Sequence, residues 1–214
     1  MVKEIFTGVF KVEDRLATLA TLKERLFGEE LNGEYRLWDP TRSKLGAAIM
    51  KGLKQLPIRQ GSKILYLGAA HGFTPSYVAD IVGTTGIVYA LEFSERPFNE
   101  LLPVCEKYEN IVPILADARK PEQFSWVEKS DVLYVDIAQP DQTDIAIRVA
   151  KDFLKRGGHL MLAIKTQSID ITKSPKKVTD EQVYKLKAAG FQVLELINLE
   201  PFEERHFFVS AKMF

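Results

Sequence analysis

Hydrophobic and polar residues follow two different patterns along this chain. Residues 1–38 contain short segments in which apolar and polar positions alternate between turn residues, which is typical of a small β-sheet. Segment 39–56 has apolar residues at helical spacing, and Pro40 suits the first turn of a helix. We therefore predict a small β-rich N-terminal unit with a connecting helix over residues 1–55, followed by a larger domain over residues 56–214.

The larger domain alternates apolar runs with helical patterns. The predicted strands cover residues 63–68, 86–93, 110–117, 130–137 and 157–165. The predicted helices cover residues 74–82, 95–107, 120–127, 141–155 and 178–189. This alternation predicts an α/β fold with a doubly wound, mostly parallel sheet and helices on both of its faces. The last two apolar runs, 191–199 and 205–213, predict an antiparallel hairpin added to the sheet edge.

The composition is that of an ordinary globular protein and excludes several classes of protein. Of the 214 residues, 46% are hydrophobic and 27% are charged, and no apolar run approaches the roughly 20 residues that span a bilayer. The single cysteine, Cys105, excludes an intramolecular disulfide, and with three histidines it is too little for the usual structural zinc sites. We expect no metal and no membrane partner. The formal net charge is zero, so a protein that acts on nucleic acid with this composition would need a partner to supply much of the affinity.

The turn after the first strand of the larger domain has its own glycine pattern. Gly68 and Gly72 enclose two alanines and His71. A dinucleotide-binding turn has the spacing G-x-G-x-x-G, in which the middle glycine lets the backbone approach a pyrophosphate. That glycine is missing here, and the P-loop pattern is absent from the sequence, so a pyrophosphate is not favoured. In a doubly wound sheet, this turn nevertheless lies where ligands bind.

Acidic residues end three successive predicted strands. They are Glu92, Asp117 and Asp136. In such a place Glu92 can accept hydrogen bonds from the hydroxyl groups of an adenosine ribose, and Asp117 can accept one from an adenine amino group. An acidic rim repels a diphosphate and attracts a cationic, phosphate-free nucleoside, and S-adenosyl-L-methionine fits that description. The alternative is that acids at strand ends only cap the helices that follow.

Several longer stretches resemble the fibrillarin family in its short archaeal form. They are LGAAHGFTPSYVADIVG, GIVYALEFSERPFNELLPVCEKYENIVPILADARKP, DVLYVDIAQPDQ, FLKRGGHLMLAIKTQSIDIT and INLEPFEERHFFV, with EYRLWDPTRSKLGAAI upstream. The resemblance covers about residues 34–214, and DIAQP and KTQSID are more specific than any glycine-rich turn. It implies a class I S-adenosylmethionine-dependent fold and an RNA ribose 2′-O-methyltransferase activity.

The same resemblance implies partners and a location. Proteins of this family act on rRNA and tRNA inside box C/D guide ribonucleoprotein particles, so we expect a Nop-domain scaffold protein as the direct partner. A box C/D guide RNA would choose the target nucleotide by base pairing, and a kink-turn-binding ribosomal-type protein would belong to the same particle. The resemblance to the archaeal form also implies a cytoplasmic protein.

The resemblance also implies the residues of the site. The catalytic group would consist of Lys44, Asp136, Lys165 and His206. The cofactor contacts would come from Phe73, Thr74, Glu92, Phe93, Asp117, Ala118, Asp136, Ile137, Ala138 and Gln139, and the turn adds the backbone of Gly68. The residues themselves agree in part, because Asp136 and Lys165 end neighbouring predicted strands, where an ion pair would orient the lysine. A lysine that accepts a hydroxyl proton needs its pKa, about 10.4 when free, lowered by burial or by a second cation such as Lys44.

Three rival functions remain open from the sequence. A small-molecule O-methyltransferase of the catechol type would share fold and cofactor but would typically add an acidic metal-binding cluster, and the DIAQP run and the Lys44/Lys165 pair speak against it. A nicotinamide dehydrogenase is opposed by the glycine spacing. A non-catalytic scaffold subunit would keep the fold alone, and the presence of all four polar groups of the catalytic set argues against it. Two departures from the family pattern bear on this last rival: His71-Gly72-Phe73-Thr74 in place of Ser-Gly-Thr-Thr, and Gln167 in place of Arg.

Overall fold

The N-terminal residues form a small antiparallel sheet. The computed structural model describes residues 1–214, and the strands of this sheet are β1 (Val2–Phe6), β2 (Val9–Val12), β3 (Arg15–Leu19), β4 (Leu31–Asn32) and β5 (Tyr35–Leu37). They lie in the order β1–β2–β3–β5–β4. The turn between β2 and β3 is tight because Glu13 and Asp14 both take positive φ angles, which is the backbone that short hairpin turns require. The predicted β-rich N-terminus is therefore observed.

The connecting helix is shorter than the sequence pattern predicts. A 3₁₀ turn over Pro40–Arg42 is followed by helix α1, Lys44–Met50, and the hydroxyl of Ser43 between them caps α1. Gly52 ends the helix with a φ of +94°, and its N–H and that of the next residue donate to carbonyls of the last turn. The prediction of one helix over residues 39–56 is wrong in length because Ser43 and Gly52 set both ends.

The larger sheet is mostly parallel and carries the terminal hairpin at one edge. Its strands are β6 (Lys63–Leu67), β7 (Ile87–Glu92), β8 (Ile111–Leu115), β9 (Ser130–Val135), β10 (Leu154–Lys165), β11 (Phe191–Asn198) and β12 (His206–Met213). The order is β11–β12–β10–β9–β6–β7–β8, with β6 to β10 parallel and β12 antiparallel to both of its neighbours. The predicted fold class is confirmed.

Helices cover both faces of this sheet. They are α2 (Phe73–Val82), α3 (Glu95–Lys107), α4 (Gln142–Phe153), α5 (Thr166–Ile169) and α6 (Pro175–Ala188). Apolar residues of α2 and α3 belong to one hydrophobic cluster, and those of α4 and α6 belong to the cluster on the other face. None of the helices combines the length and the apolar character needed to cross a bilayer.

The helices differ from the prediction in four places. Helix α4 ends at Phe153, where β10 begins, so the predicted helix 141–155 runs too far. Helix α6 begins earlier than predicted, because Ser174 caps it and Pro175 occupies its first turn. The helix predicted over residues 120–127 is a short 3₁₀ helix. Helix α5 was not predicted, because four residues are too short to show a helical period.

One hydrophobic cluster joins the N-terminal sheet to the larger sheet. Successive residues of β6 point to opposite faces, so Tyr66 belongs to this first cluster and Leu65 to the second. The first cluster also contains Leu16 and Trp38 of the N-terminal region, and Trp38 stacks on Tyr77 of α2 with ring centroids 4.8 Å apart. The domain division between residues 55 and 56 stays a prediction, since packing crosses it.

A buried ionic cluster also ties the two sheets together. Arg36 of β5 is only 1% exposed and lies 2.6 Å from Glu29 and 3.2 Å from Asp80 of α2. Its guanidinium also donates to the hydroxyls of Ser76 and Tyr108. Burial opposes ionisation of Glu29, but the Arg36 charge and backbone N–H donors outweigh burial and lower the pKa of that carboxyl. The N-terminal sheet is therefore held to α2 by charge as well as by apolar packing, and to Tyr108, just after α3, by a hydrogen bond.

Candidate active site

The ends of β6 and β9 meet where the strand order reverses. The chain leaves β6 for β7 on one side and later crosses to β9 on the other side. The Asp136 N–H, just after β9, donates to the Leu67 carbonyl at 2.9 Å, and the Gly68 N–H donates to the Leu91 carbonyl at 2.9 Å. In open α/β sheets this position binds ligands, so the candidate site is built here.

Gly68 is the residue that this close approach requires. Its φ is +85°, and a Cβ there would lie 2.5 Å from the carbonyl oxygen of Asp136. Any side chain would therefore force apart the ends of β6 and β9. The turn continues through Ala70, which also has a positive φ, and its N–H donates to the Glu92 carboxylate at 2.9 Å.

Glu92 fastens the turn to the start of α3. Its Oε2 accepts the hydrogen bond from Ala70, and its Oε1 accepts from the N–H groups of Phe93 and Ser94 at 3.0 and 2.9 Å. Glu92 therefore also caps the start of α3, which is the alternative role that the sequence left open. A carboxylate has about four acceptor positions, so three backbone donors leave capacity for one ribose hydroxyl.

Asp117 is held by a residue two positions further along the chain. The Arg119 guanidinium donates to both carboxylate oxygens, at 3.0 Å from Nε to Oδ1 and 2.8 Å from Nη2 to Oδ2. The hydrogen bonds from Arg119 outweigh partial burial and lower the pKa of the Asp117 carboxyl. An adenine amino group at this carboxylate would share it with Arg119.

A cleft of about 430 Å³ connects these residues, a size typical of sites for small organic ligands. Its walls include many of the predicted cofactor contacts: Gly68, Glu92, Phe93, Asp117, Ala118, Asp136, Ile137, Ala138 and Gln139, together with Lys165. Phe93 is 56% exposed as a residue, so its ring can offer a flat apolar surface to a ligand. The cleft is lined by three carboxylates and one ammonium, a balance that suits a cationic ligand.

Two predicted cofactor residues do not line the cleft. The Phe73 ring is buried against Phe27 and Tyr77, with the Arg42 guanidinium 4.1 Å above it. The Thr74 hydroxyl donates to the Ser43 hydroxyl at 3.0 Å. These side chains face the connecting helix and the N-terminal sheet. Phe73 and Thr74 could therefore contact a ligand in the cleft only through their backbone atoms.

Asp136 lies between two lysines from distant parts of the chain. Its Oδ1 is 2.8 Å from Lys165 Nζ, and its Oδ2 is 3.4 Å from Lys44 Nζ. The Lys165 ammonium also donates to the backbone carbonyl of Asp136 at 3.0 Å. Oδ1 receives no well-directed hydrogen bond although Lys165 is close, so this buried oxygen keeps acceptor capacity for another donor. The structure brings together three members of the predicted catalytic group.

Lys44 is a buried ammonium rather than a solvated surface lysine. Its side chain is 16% exposed and has Asp136 and Glu203 within ion-pair distance, the latter at 3.5 Å. Burial disfavours its charge, but the two carboxylates outweigh burial and raise the pKa of Lys44 above its ordinary value. Lys44 is therefore a fixed cation and not a proton acceptor near neutral pH.

His206 begins β12 directly opposite Lys165, with which it pairs across the strands. Its Nδ1 lies 2.7 Å from the Glu204 carbonyl and 3.7 Å from a Glu203 carboxylate oxygen. A proton on Nδ1 is required for the contact with the carbonyl, so Nε2 is the nitrogen left to accept. His206 joins the cluster through Glu203; it makes no ion pair with Asp136 and does not itself line the cleft.

Two residues of this site were missed from the sequence. Glu203 contacts both Lys44 and His206, and the buried amide of Gln142 accepts the backbone N–H of Lys165 at 3.3 Å. Glu203 does not end a parallel strand, and Gln142 is not acidic, so neither matches the strand-end carboxylates that predict the rim. The only sequence signal for Glu203 was its position three residues before His206. No group of three or more His, Cys, Asp or Glu side chains is arranged to hold a metal ion.

Comparisons with known proteins agree over the whole chain. The sequence model of the fibrillarin family matches residues 2–214. The fibrillarin-like rRNA/tRNA 2′-O-methyltransferase of Methanocaldococcus jannaschii is 49% identical over 216 aligned positions, covering 96% of this chain and 94% of that protein.

Three solved structures have the same fold over nearly all of the chain. The fibrillarin pre-rRNA processing protein of Methanococcus jannaschii superposes with a TM-score of 0.95 at 47% identity, covering 100% of this chain and 97% of that one. The fibrillarin of Aeropyrum pernix, solved with natively bound S-adenosyl-L-methionine, gives 0.87 at 40% identity and 99% coverage of both chains. A fibrillarin solved in complex with Nop5p gives 0.92 at 39% identity, covering 99% of this chain and 100% of that one.

Proposed function

The chain belongs to the fibrillarin family, and on that premise we propose how its cleft performs S-adenosylmethionine-dependent 2′-O-methylation of rRNA and tRNA. The protein is a methyltransferase of this kind. The observation that carries the assignment of residues is the cluster in which Asp136 holds Lys44 and Lys165 at the mouth of an acidic cleft.

The cleft fits the cofactor by shape and by charge. Glu92 has acceptor capacity left for a ribose hydroxyl, Asp117 lies on the adenine side, and the exposed ring of Phe93 can cover the base. Three carboxylates against one ammonium attract a sulfonium cation and repel a pyrophosphate. The glycine at position 68 lets the backbone of the turn approach the ligand without a side chain in the way.

Three side chains divide the remaining chemistry. The bound cofactor supplies a methyl group already activated by a positively charged sulfur. Lys165, an ammonium in its ion pair with Asp136, would first release one proton, and its Nζ would then take the proton of the ribose 2′-hydroxyl that receives the methyl group. Asp136 orients this nitrogen through the contact of its Oδ1 with Lys165 Nζ at 2.8 Å. Lys44 remains an ammonium and holds the ribose or its phosphate, and positioning of this kind supplies about 7–11 kcal/mol in favourable cases.

The neutral formal charge of the chain favours an assembled particle as the working form. Affinity for RNA rises with the number of phosphates that lysine and arginine neutralise. In this chain, lysine and arginine do not outnumber aspartate and glutamate. A Nop-domain scaffold protein would hold it, as Nop5p holds the related fibrillarin. In the same proposal, a box C/D guide RNA chooses the target nucleotide, and a kink-turn-binding ribosomal-type protein completes the particle.

Titration calorimetry tests the cofactor half of this proposal. We expect S-adenosylmethionine to bind the free protein with one site and NAD to give no heat of binding. The variant Gly68→Val is expected to lose cofactor binding, because a side chain there meets the Asp136 carbonyl. Gly157→Val is the matched control, since Gly157 has a similar positive φ with open space around it. Binding of NAD in place of S-adenosylmethionine would reject the cofactor assignment.

A further inference from the structure

Glu203 is a charged member of the cluster that the mechanism above does not use. It lies in the turn between β11 and β12, and its side chain is 22% exposed. One carboxylate oxygen, Oε1, is 3.5 Å from Lys44 Nζ, and the other, Oε2, is 3.7 Å from Nδ1 of His206. A single carboxylate therefore contacts two of the proposed catalytic residues, which come from opposite ends of the chain.

Backbone hydrogen bonds hold Glu203 in this place. The Leu199 N–H donates to the His206 carbonyl at 3.0 Å and closes the turn, and the Glu203 N–H donates to the Leu199 carbonyl at 3.3 Å. The Glu200 carboxylate accepts the Arg205 N–H at 3.2 Å on the outer side. These hydrogen bonds fix the backbone of the turn, and the Glu203 side chain extends from it towards Lys44 of α1.

The two lysines of the cluster differ in the number of carboxylates they contact. Lys44 lies between Asp136 and Glu203, whereas Lys165 has Asp136 as its only carboxylate partner. The titratable groups gathered around Lys44 are Asp136 and Lys165 from the ends of β9 and β10, and Glu203 and His206 from the hairpin. The pKa of Lys44 is raised by Asp136 first and by Glu203 second, against the effect of burial. Glu203 is therefore the contact that sets Lys44 apart from Lys165.

Glu203 also balances the charge of the site. Two ammonium groups face Asp136 alone if Glu203 is removed, and the excess positive charge then lies beside a cleft that takes a sulfonium cation. With Glu203 in place, two ammonium groups face two carboxylates. Like charges disfavour each other most where water is excluded, and these side chains are mostly buried.

We propose that Glu203 is a positioning residue for methyl transfer, which keeps Lys44 as an oriented ammonium and holds His206 beside it. This inference rests on the proposed function, because the state of Lys44 affects turnover only if this cluster faces the reacting ribose. Glu203 is not among the residues that line the cleft, so its removal acts through Lys44 and His206.

The first test compares Glu203→Gln with Glu204→Gln in the reconstituted guide particle. Both variants remove one negative charge without changing side-chain shape, and Glu204 is an exposed neighbour whose side chain makes no ion pair. We expect Glu203→Gln to lower kcat by roughly 10- to 100-fold, the scale of a lost charge-assisted contact, with little change in KM for RNA. We expect Glu204→Gln to behave like the wild type. Equal kcat for all three proteins would overturn the role of Glu203 and leave the proposed function standing.

The second test does not depend on activity. In ¹³C-labelled lysine NMR of the free protein, the titration midpoint of Lys44 is expected to fall in Glu203→Gln and to stay unchanged in Glu204→Gln. A role in packing alone would leave this midpoint unchanged in both variants, and that result would also overturn the inference. An inactive wild-type particle would reject the proposed function instead, and the Lys44 titration would still decide whether Glu203 holds the ammonium.

Discussion

At the scale of single residues, Asp136 connects the cofactor-binding turn to the lysine that accepts the proton. Its backbone N–H and carbonyl are part of the junction between β6 and β9, next to the turn at Gly68. Its side chain lies 14% exposed between the two lysines. The same residue therefore sets the distance between the cofactor turn and the proton acceptor, and errors in its position affect both binding and turnover.

Replacing Lys165 with alanine separates binding from catalysis. We expect Lys165→Ala to lower kcat by roughly 10²- to 10⁴-fold, the usual contribution of a general base, while S-adenosylmethionine affinity changes little. Single-turnover methyl transfer and calorimetry measure the two quantities. Lys155→Ala is the matched control, because that exposed lysine pairs with Asp131, away from the cleft. Undiminished turnover in Lys165→Ala would remove its role as base.

Glu92 contributes to affinity rather than to rate. We expect Glu92→Ala to weaken S-adenosylmethionine binding by about 1–3 kcal/mol, the cost of removing a charged hydrogen-bond acceptor. Calorimetry measures the loss, and Glu100→Ala on the exposed side of α3 is the control. An unchanged dissociation constant would show that Glu92 only caps α3.

His159 gives a dependence of stability on pH. Burial, with the nearby charges of Lys212 and Arg59, lowers the pKa of His159 below its ordinary value. The folded protein therefore binds fewer protons than the unfolded chain below about pH 6.5, the unfolded value, so stability is lost as pH falls through that range. We expect denaturant titrations of His159→Gln to show a smaller loss of unfolding free energy between about pH 8 and pH 5. A loss as large as that of the wild type would contradict this assignment.

At the scale of elements, the N-terminal sheet is held to the larger sheet by a buried arginine. Arg36 of β5 neutralises Glu29 and Asp80, which are 3% and 0% exposed in their side chains. Removing it leaves two carboxylates in an apolar interface without a counter-charge. We expect Arg36→Ala to lower the free energy of unfolding by about 3–5 kcal/mol.

The matched control for this element is Arg15→Ala in the neighbouring strand β3. Arg15 pairs with Glu30, but both side chains are about half exposed, so the pair contributes at most about 1 kcal/mol. Chemical denaturation of the two variants measures both values. Equal effects of the two substitutions would mean that the buried cluster does not stabilise the sheet junction.

The sequence predicted most of the elements and the acidic rim, for identifiable reasons. Period-two and helical patterns showed where β6 to β12 and the longer helices lie, and Glu92 and Asp117 were found because they end strands. Lys44 was assigned through the family resemblance, because a lysine on a short helix gives no sign of a carboxylate partner far along the chain. Arg36 was missed for the same reason: a single charge inside an alternating strand looks solvent-facing until the opposing helix is in place.

At the scale of the whole molecule, balanced charge limits what the free chain can do with RNA. Lysine and arginine together number 29, and aspartate and glutamate also number 29. We expect the free protein to bind target RNA only non-specifically, with dissociation constants of about 10⁻⁴ to 10⁻⁶ M near physiological salt. Fluorescence anisotropy with and without the Nop-domain scaffold measures the difference. Nanomolar, salt-resistant binding by the free chain would contradict the need for a particle.

One measurement tests the central claim most directly: transfer of a tritiated methyl group from S-adenosylmethionine to RNA by the guide particle, followed by nucleoside analysis. The account predicts label in a single 2′-O-methylated nucleoside at the guided position, and none when the particle contains Asp136→Ala. Label on a base, or full transfer by the Asp136→Ala particle, would contradict it.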